Sequence, residues 1–125
     1  MNKQEIFNKV RNHLLTQNQK SILPINHPDG SPICRYKTKT GLMCAIGCLL
    51  PEGFDTARVE GHYAGDDQVV SVLLDSGVLE NNGRKFGGDI DLLCDLQSLH
   101  DNYDVEYWPH QLRKIANDYK LTVEE

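Results

Sequence analysis

Residues 89–99 read DIDLLCDLQSL, and this stretch decides the expected fold. Its leucines recur at helical spacing and form one apolar face, while the aspartates lie on the flanks of that face. The spacing predicts a helix that begins near Asp89 and packs its leucines against the rest of the protein. These leucines are Leu92, Leu93, Leu96 and Leu99.

Three further helices are predicted from the signals at their ends. Asn2 and Glu5 have the spacing of a capping box, and apolar residues follow at helical spacing over residues 3–18. A helix over residues 66–77 begins at an aspartate and ends at a glycine. The last helix begins at Pro109, because proline is favoured at the first helical position.

Residues 41–50 read GLMCAIGCLL and form the most apolar stretch of the chain. A buried helix and a buried strand would both fit this stretch. We predict a helix with Thr40 as its N-cap, ended by Pro51. Gly47 would cost this helix about 1 kcal/mol relative to alanine.

The remaining segments are predicted as loops and short strands. Residues 21–32 contain three prolines and Gly30 and are expected to form a loop, whereas residues 33–40 alternate as a short strand would. Residues 51–65 are expected to form an ordered loop or a one-turn helix around Phe54–Arg58. The Asn-Gly pair at residues 82–83 predicts a small β-hairpin between residues 78–80 and residues 84–86.

The expected architecture is mainly α: a single compact domain over residues 1–125, with about five helices and a minor β-hairpin. The composition, 39% hydrophobic and 25% charged, is typical of globular proteins. The predicted core consists of Phe7, Val10, Leu14, Leu42, Ile46, Leu49, Leu73, Leu96, Leu99, Leu112 and Ile115.

No window of the sequence is apolar for the 18 or so residues that a membrane span needs. Residues 1–5 also lack the apolar stretch of a signal peptide. We therefore expect a cytoplasmic protein that does not bind membranes.

The net charge of −5 hides a strong asymmetry. Residues 1–41 carry seven Lys/Arg against two acids, or +5, and residues 42–125 carry six against sixteen, or −10. The acidic part would repel phosphates, so we expect no nucleic-acid binding and infer a protein partner with a basic surface. A purely solvating role for these acids is the alternative interpretation.

The candidate binding residues lie in the stretch between residues 86 and 110, which has no Lys or Arg. Aromatic anchors with a charged rim are common at protein interfaces, although Trp108 would also suit the core. The predicted binding residues are Asp89, Asp91, Asp95, Asp101, Asp104, Glu106, Tyr107 and Trp108.

The alternative function is a cysteine-dependent hydrolase. Cys44 in the first turn of the helix over residues 41–50 would be the nucleophile, because a helix N-terminus lowers a thiol pKa. His100 would be the base and Asp101 or another carboxylate the orienting acid, with His27 and Asp29, or His62, as alternatives. Consecutive helical residues point about 100° apart, so we do not expect Asp101 to reach the ring of His100.

No metal or cofactor is expected. The four cysteines have the spacing C-x9-C-x3-C-x45-C, without the close ligand pairs of structural zinc sites. Asp89 and Asp91 are not followed by the remaining ligands of a calcium loop, and the glycines at residues 83–88 lack the pattern of a phosphate-binding loop. Packing in the core is the simplest role for the thiols.

The segments C-R-Y at residues 34–36, G-L-M-C-A-I-G at 41–47 and L-L-T-Q at 14–17 resemble a group of small uncharacterised proteins encoded by tailed phages, prophages and proteobacterial genomes. Further matches are Lys20-Ser21, Pro51, Glu60-Gly61, Leu96-Gln97, His100-Asp101 and Trp108, and Met43 is a departure, because the group is expected to have a basic residue there. The resemblance implies a phage or bacterial protein and transfers no activity. We expect an accessory or inhibitory protein that binds a host or defence-system protein.

Overall fold

A computed structural model describes residues 1–26, 28–29, 32–79 and 88–123 of the chain. This part is mainly helical, as the sequence predicts. Its α-helices are α1 (Lys3–Gln17), α2 (Asp67–Asp75), α3 (Gly88–Asn102) and α4 (Trp108–Asp118). Short 3-10 helices lie at Gly47–Leu49, Thr56–Arg58 and Val105–Tyr107.

The helices begin where local capping residues satisfy their free N–H groups. At α1 the Asn2 side chain accepts from the Glu5 N–H at 2.9 Å, and the Glu5 carboxylate accepts from the Asn2 N–H at 3.0 Å, which is the predicted capping box. Asp66 caps α2 through the N–H of Gln68. Pro109 lies in the first turn of α4, as expected.

Two short strands, β1 (Ile22–Asn26) and β2 (Pro32–Cys34), pair antiparallel with Ile22 opposite Cys34. The prediction of a loop over residues 21–32 is therefore wrong at β1. Each strand of a two-stranded pair is an edge strand, where a proline costs no ladder hydrogen bond if its nitrogen faces outward. The hairpin predicted around residues 82–83 lies outside the described residues.

The helix predicted over residues 41–50 is also wrong. This segment forms the 3-10 helix Gly47–Leu49 and an isolated β-bridge from Met43 to Lys37. Thr40 is not a helix N-cap, and its hydroxyl bonds to the Thr38 hydroxyl. Its backbone groups bond to other segments: the Cys44 N–H donates to the Tyr36 carbonyl at 3.1 Å, and the Met43 N–H donates to the Gln17 side chain at 2.9 Å. These tertiary hydrogen bonds replace those of a helix.

The buried side chains form one apolar cluster, to which α1, α2, α3 and α4 all contribute. Every predicted core residue is buried except Leu42, which is half-buried. Helices α3 and α4 pack against each other, and α1 packs against both and against Gly47–Leu49. The link between α3 and α4, residues 103–107, therefore lies where two packed helices meet.

Candidate functional site

The predicted acidic face divides into residues with partners inside the molecule and residues that face solvent. The Asp89 carboxylate lies 3.2 Å from the Lys3 ammonium, and the Asp95 carboxylate accepts from the Tyr119 hydroxyl at 2.7 Å. Burial and the bond to Asp95 raise the pKa of the Tyr119 hydroxyl. Asp89 and Asp95 are thus partly engaged within the fold.

The exposed acids of this face for which the structure gives no such partner are Asp91 on α3 and Asp104 and Glu106 in the α3–α4 link. In the part of the chain that the structure describes, none of these three carboxylates forms an ion pair. Two tyrosines flank the last two acids: Tyr103 is 40% exposed and Tyr107 is 53% exposed. We name residues 103–107 the acidic–aromatic segment.

Trp108 fixes the acidic–aromatic segment from inside. Its side chain is fully buried, and its indole N–H donates to the Tyr103 carbonyl at 3.1 Å. The Tyr107 N–H donates to the Asp104 carbonyl at 2.9 Å and closes a turn. Trp108 thus packs in the core, which is the alternative that the sequence left open, and its indole holds the exposed segment in place.

His100 and Asp101 form a direct contact that the sequence argument did not expect. The two side chains meet at 2.7 Å, between Nδ1 of the imidazole and Oδ1 of the carboxylate. The expected angular separation of consecutive helical residues did not prevent this contact, since Nδ1 lies close to the helix backbone and a short carboxylate can reach it. Gln97 donates to the same carboxylate oxygen at 2.9 Å.

Both ring nitrogens of His100 form hydrogen bonds within the fold. The Ser21 N–H donates to its Nε2 at 2.9 Å, so Nε2 carries no proton and Nδ1 donates to Asp101. The ring is fully buried and stacks on Trp108 with 5.7 Å between ring centroids. With both nitrogens bonded and no solvent access, His100 is a structural residue rather than a general base.

Cys44 does not fit the role of a nucleophile. Its thiol is fully buried, and it lies in no helix. Burial raises the pKa of the Cys44 thiol far above its ordinary value, although the N–H groups of Gly47 and Ile46 partly oppose this. A buried neutral thiol attacks no substrate, because the thiolate is the nucleophilic form.

Cys34 is the half-exposed thiol of this region, and it contacts Asp101. Burial raises the pKa of Cys34 to about 11, and the charge and hydrogen bond of Asp101 contribute to the increase. Segments quoted for the resemblance therefore meet in space, since Asp101 contacts both Cys34 of β2 and His100 of α3. These contacts join β2 to α3, and they do not activate the Cys34 thiol as a nucleophile.

The role of Glu60 is not evident from the sequence pattern. Its side chain is 8% exposed, accepts from the Tyr36 N–H at 2.6 Å and from the Thr56 hydroxyl at 2.9 Å, and lies 3.4 Å from Arg35 Nε. Glu60 thus holds the segment after β2 against the loop over residues 51–65. Only its presence among the residues of the resemblance marks it in the sequence.

Among the described residues, no three His, Cys, Asp or Glu side chains are grouped so that they could hold a metal ion. No helix in the described ranges is both long and apolar enough to cross a bilayer.

Comparison of the chain with models of known protein families, with curated proteins and with solved structures found no match.

Proposed function

We propose that the protein acts by binding a protein partner that carries a basic surface, and that the acidic–aromatic segment makes the central contact. The observation that carries this proposal is the display of two exposed tyrosines and two exposed acids on one short link that a buried tryptophan holds. Asp91 is a further exposed acid, near the start of α3.

The chemistry of these residues favours recognition. Tyrosine supplies a large contact area with few rotatable bonds, and it is enriched among residues that dominate binding energy. Exposed carboxylates around such anchors guide a basic partner and exclude an acidic one. A segment already ordered by Trp108 and by the turn at Asp104 loses less conformational entropy on binding.

The catalytic alternative has less support from the same geometry. Cys44 is buried with a raised pKa, and both nitrogens of His100 are bonded within the fold. An accessory or inhibitory role, in which the protein occupies the surface of a bacterial host protein, agrees with the resemblance to phage and prophage proteins. This role requires no reacting group on the chain.

The first experiment identifies the partner by photo-crosslinking in bacterial cells. The photoreactive residue benzoylphenylalanine replaces Tyr107 in one variant and Tyr63 in a matched control, because Tyr63 is also exposed, at 72%, and lies outside the acidic stretch. We expect position 107 to crosslink one discrete protein with a basic surface that position 63 does not capture. Equal crosslinking at both positions, or none at 107, contradicts the proposal.

The second experiment measures affinity for the purified partner at several salt concentrations. We expect Tyr107→Ser to weaken binding by about 2 kcal/mol and D104N/E106Q to reduce the salt dependence of Kd. Tyr63→Ser and D67N/D75N, which remove an exposed tyrosine and two exposed acids elsewhere, are the controls. Binding that resists the first pair of changes but not the controls would place the interface elsewhere.

A further inference from the structure

A cleft of about 470 Å³ opens beside α1, and no residue of the acidic–aromatic segment lines it. Its volume lies in the range of small-molecule sites. Two cations, Lys9 on α1 and Lys37 after β2, contribute to its wall, and Glu52 is the acid among its lining residues. The apolar part of the lining consists of Met43, Cys48, Leu50, Pro51 and Phe54.

The two lysines are available to a ligand. Both side chains are exposed, and neither ammonium forms an ion pair with any residue that the structure describes. The charge of Lys9 acts on a residue that lines the cleft. Burial raises the pKa of the Cys48 thiol to about 12, and the charge of Lys9 opposes that increase. A positive charge therefore acts on a nearly buried part of the lining.

The charges and the surface of the cleft together define a ligand class. Two lysines against one glutamate leave a net charge of +1, which a single negative charge balances and two would exceed. Met43, Leu50 and Phe54 offer apolar contact area, which favours an apolar body on the ligand. A carboxylate suits the lysines, which bind anions as flexible point charges.

We propose that this cleft binds a small monocarboxylate with an apolar body, such as a medium-chain fatty acid or an aromatic acid. Lys9 and Lys37 contact the carboxylate from two sides, and the apolar residues enclose the body. This site goes beyond the proposed interaction with a protein partner, and neither proposal depends on the other.

The test uses the two methionines of the chain as reporters. Met43 lines the cleft, whereas Met1 does not. Protein labelled with 13C at the methionine methyl groups is titrated with octanoate and followed by NMR. We expect the Met43 methyl signal to shift and saturate while the Met1 signal stays in place.

Two ligand controls separate the charge from the apolar chain. 1-Octanol has a chain of the same length without a charge, and octyltrimethylammonium carries the opposite charge. We expect both to bind at least tenfold more weakly than octanoate. Shifts of Met43 that are equal for all three ligands overturn the proposal, because they show apolar contact without charge recognition.

Protein variants complete the test. K9Q/K37Q is expected to weaken octanoate binding about tenfold, since it removes two partly solvated charge contacts. R113Q/K114Q, which removes two exposed cations from α4, is expected to leave it unchanged. K9E/K37E is expected to reverse the preference in favour of octyltrimethylammonium, and unchanged octanoate binding in K9Q/K37Q, with circular dichroism confirming the fold, overturns the proposal.

Discussion

Gly47 packs so closely against the segment at Tyr36 that only a hydrogen atom fits where another residue has its Cβ. The backbone here lies so close to the next segment that a Cβ would overlap the carbonyl oxygen of Tyr36. The same carbonyl accepts the Cys44 N–H, so it cannot move without loss of that bond. Gly47 is therefore required for close approach, whereas the sequence pattern suggested only a helix of reduced stability.

We predict that Gly47→Ala lowers the free energy of unfolding by about 3 kcal/mol, because a rigid backbone group must shift to admit the methyl group. Urea denaturation followed by circular dichroism measures this change. Gly53→Ala is the control: open space surrounds Gly53, and its φ of 79° costs a side chain about 1–2 kcal/mol. A smaller loss at Gly47 than at Gly53 would show that the Tyr36 segment yields easily.

At the scale of elements, the sequence predicted the helices whose ends are marked by local signals. Asn2 with Glu5, Asp66 and Pro109 each act within one turn of chain, so their effect is visible without knowledge of the fold. The segment over residues 41–50 was mispredicted because its hydrogen-bond partners, Tyr36 and Gln17, come from other elements. An apolar run alone does not distinguish a buried helix from a buried irregular segment.

The difference between local signals and contacts with distant elements also explains why the candidate site was predicted only in part. The sequence shows where the acids lie, but it does not show that Asp89 faces Lys3 or that Asp95 bonds to Tyr119. It also left the role of Trp108 open between core and interface. These assignments depend on how α1, α3 and α4 pack, which no local pattern contains.

A prediction for α2 concerns its N-cap. The hydrogen bond from His62 and the N–H of Gln68 hold the pKa of the Asp66 carboxyl below its ordinary value. A carboxyl with a lowered pKa in the folded state stabilises it above the unfolded pKa of 3.8, and this stabilisation is lost as the pH falls through the folded value. Asp66→Ala should therefore reduce the free energy of unfolding at pH 7 and have less effect at pH 2.5.

Urea titrations at these two pH values, on wild type and variant, measure the difference. Asp67→Ala is the matched control, because Asp67 is exposed in the first turn of the same helix and makes no side-chain hydrogen bond to a described residue. If Asp66→Ala lowers the free energy of unfolding equally at both pH values, the charge of Asp66 contributes nothing to stability.

At the scale of the whole molecule, hydrogen bonds join α1 to the segment that follows α4. Gln4 donates to the Thr122 carbonyl at 2.9 Å, and its side-chain oxygen accepts from the Thr122 N–H at 2.9 Å and from the Thr122 hydroxyl at 3.1 Å. These bonds connect residues 118 positions apart.

We predict that Gln4→Ala releases the segment around Thr122 and lowers the free energy of unfolding by about 1 kcal/mol, since the lost bonds are exposed. Hydrogen exchange by NMR should show faster exchange of the Thr122 amide. The Leu121 amide, which donates to the Ala116 carbonyl at 2.8 Å, is the internal control. Unchanged exchange at Thr122 would mean that other contacts hold this segment.

The placement of Trp108 gives the protein a built-in optical reporter. Trp108 is the only tryptophan of the sequence, and its ring is shielded from water and stacked on His100. Its fluorescence should therefore be blue-shifted in the native state and should shift to longer wavelength when unfolding exposes the ring to water. One emission spectrum thus follows the interior between α3 and α4 without any added label.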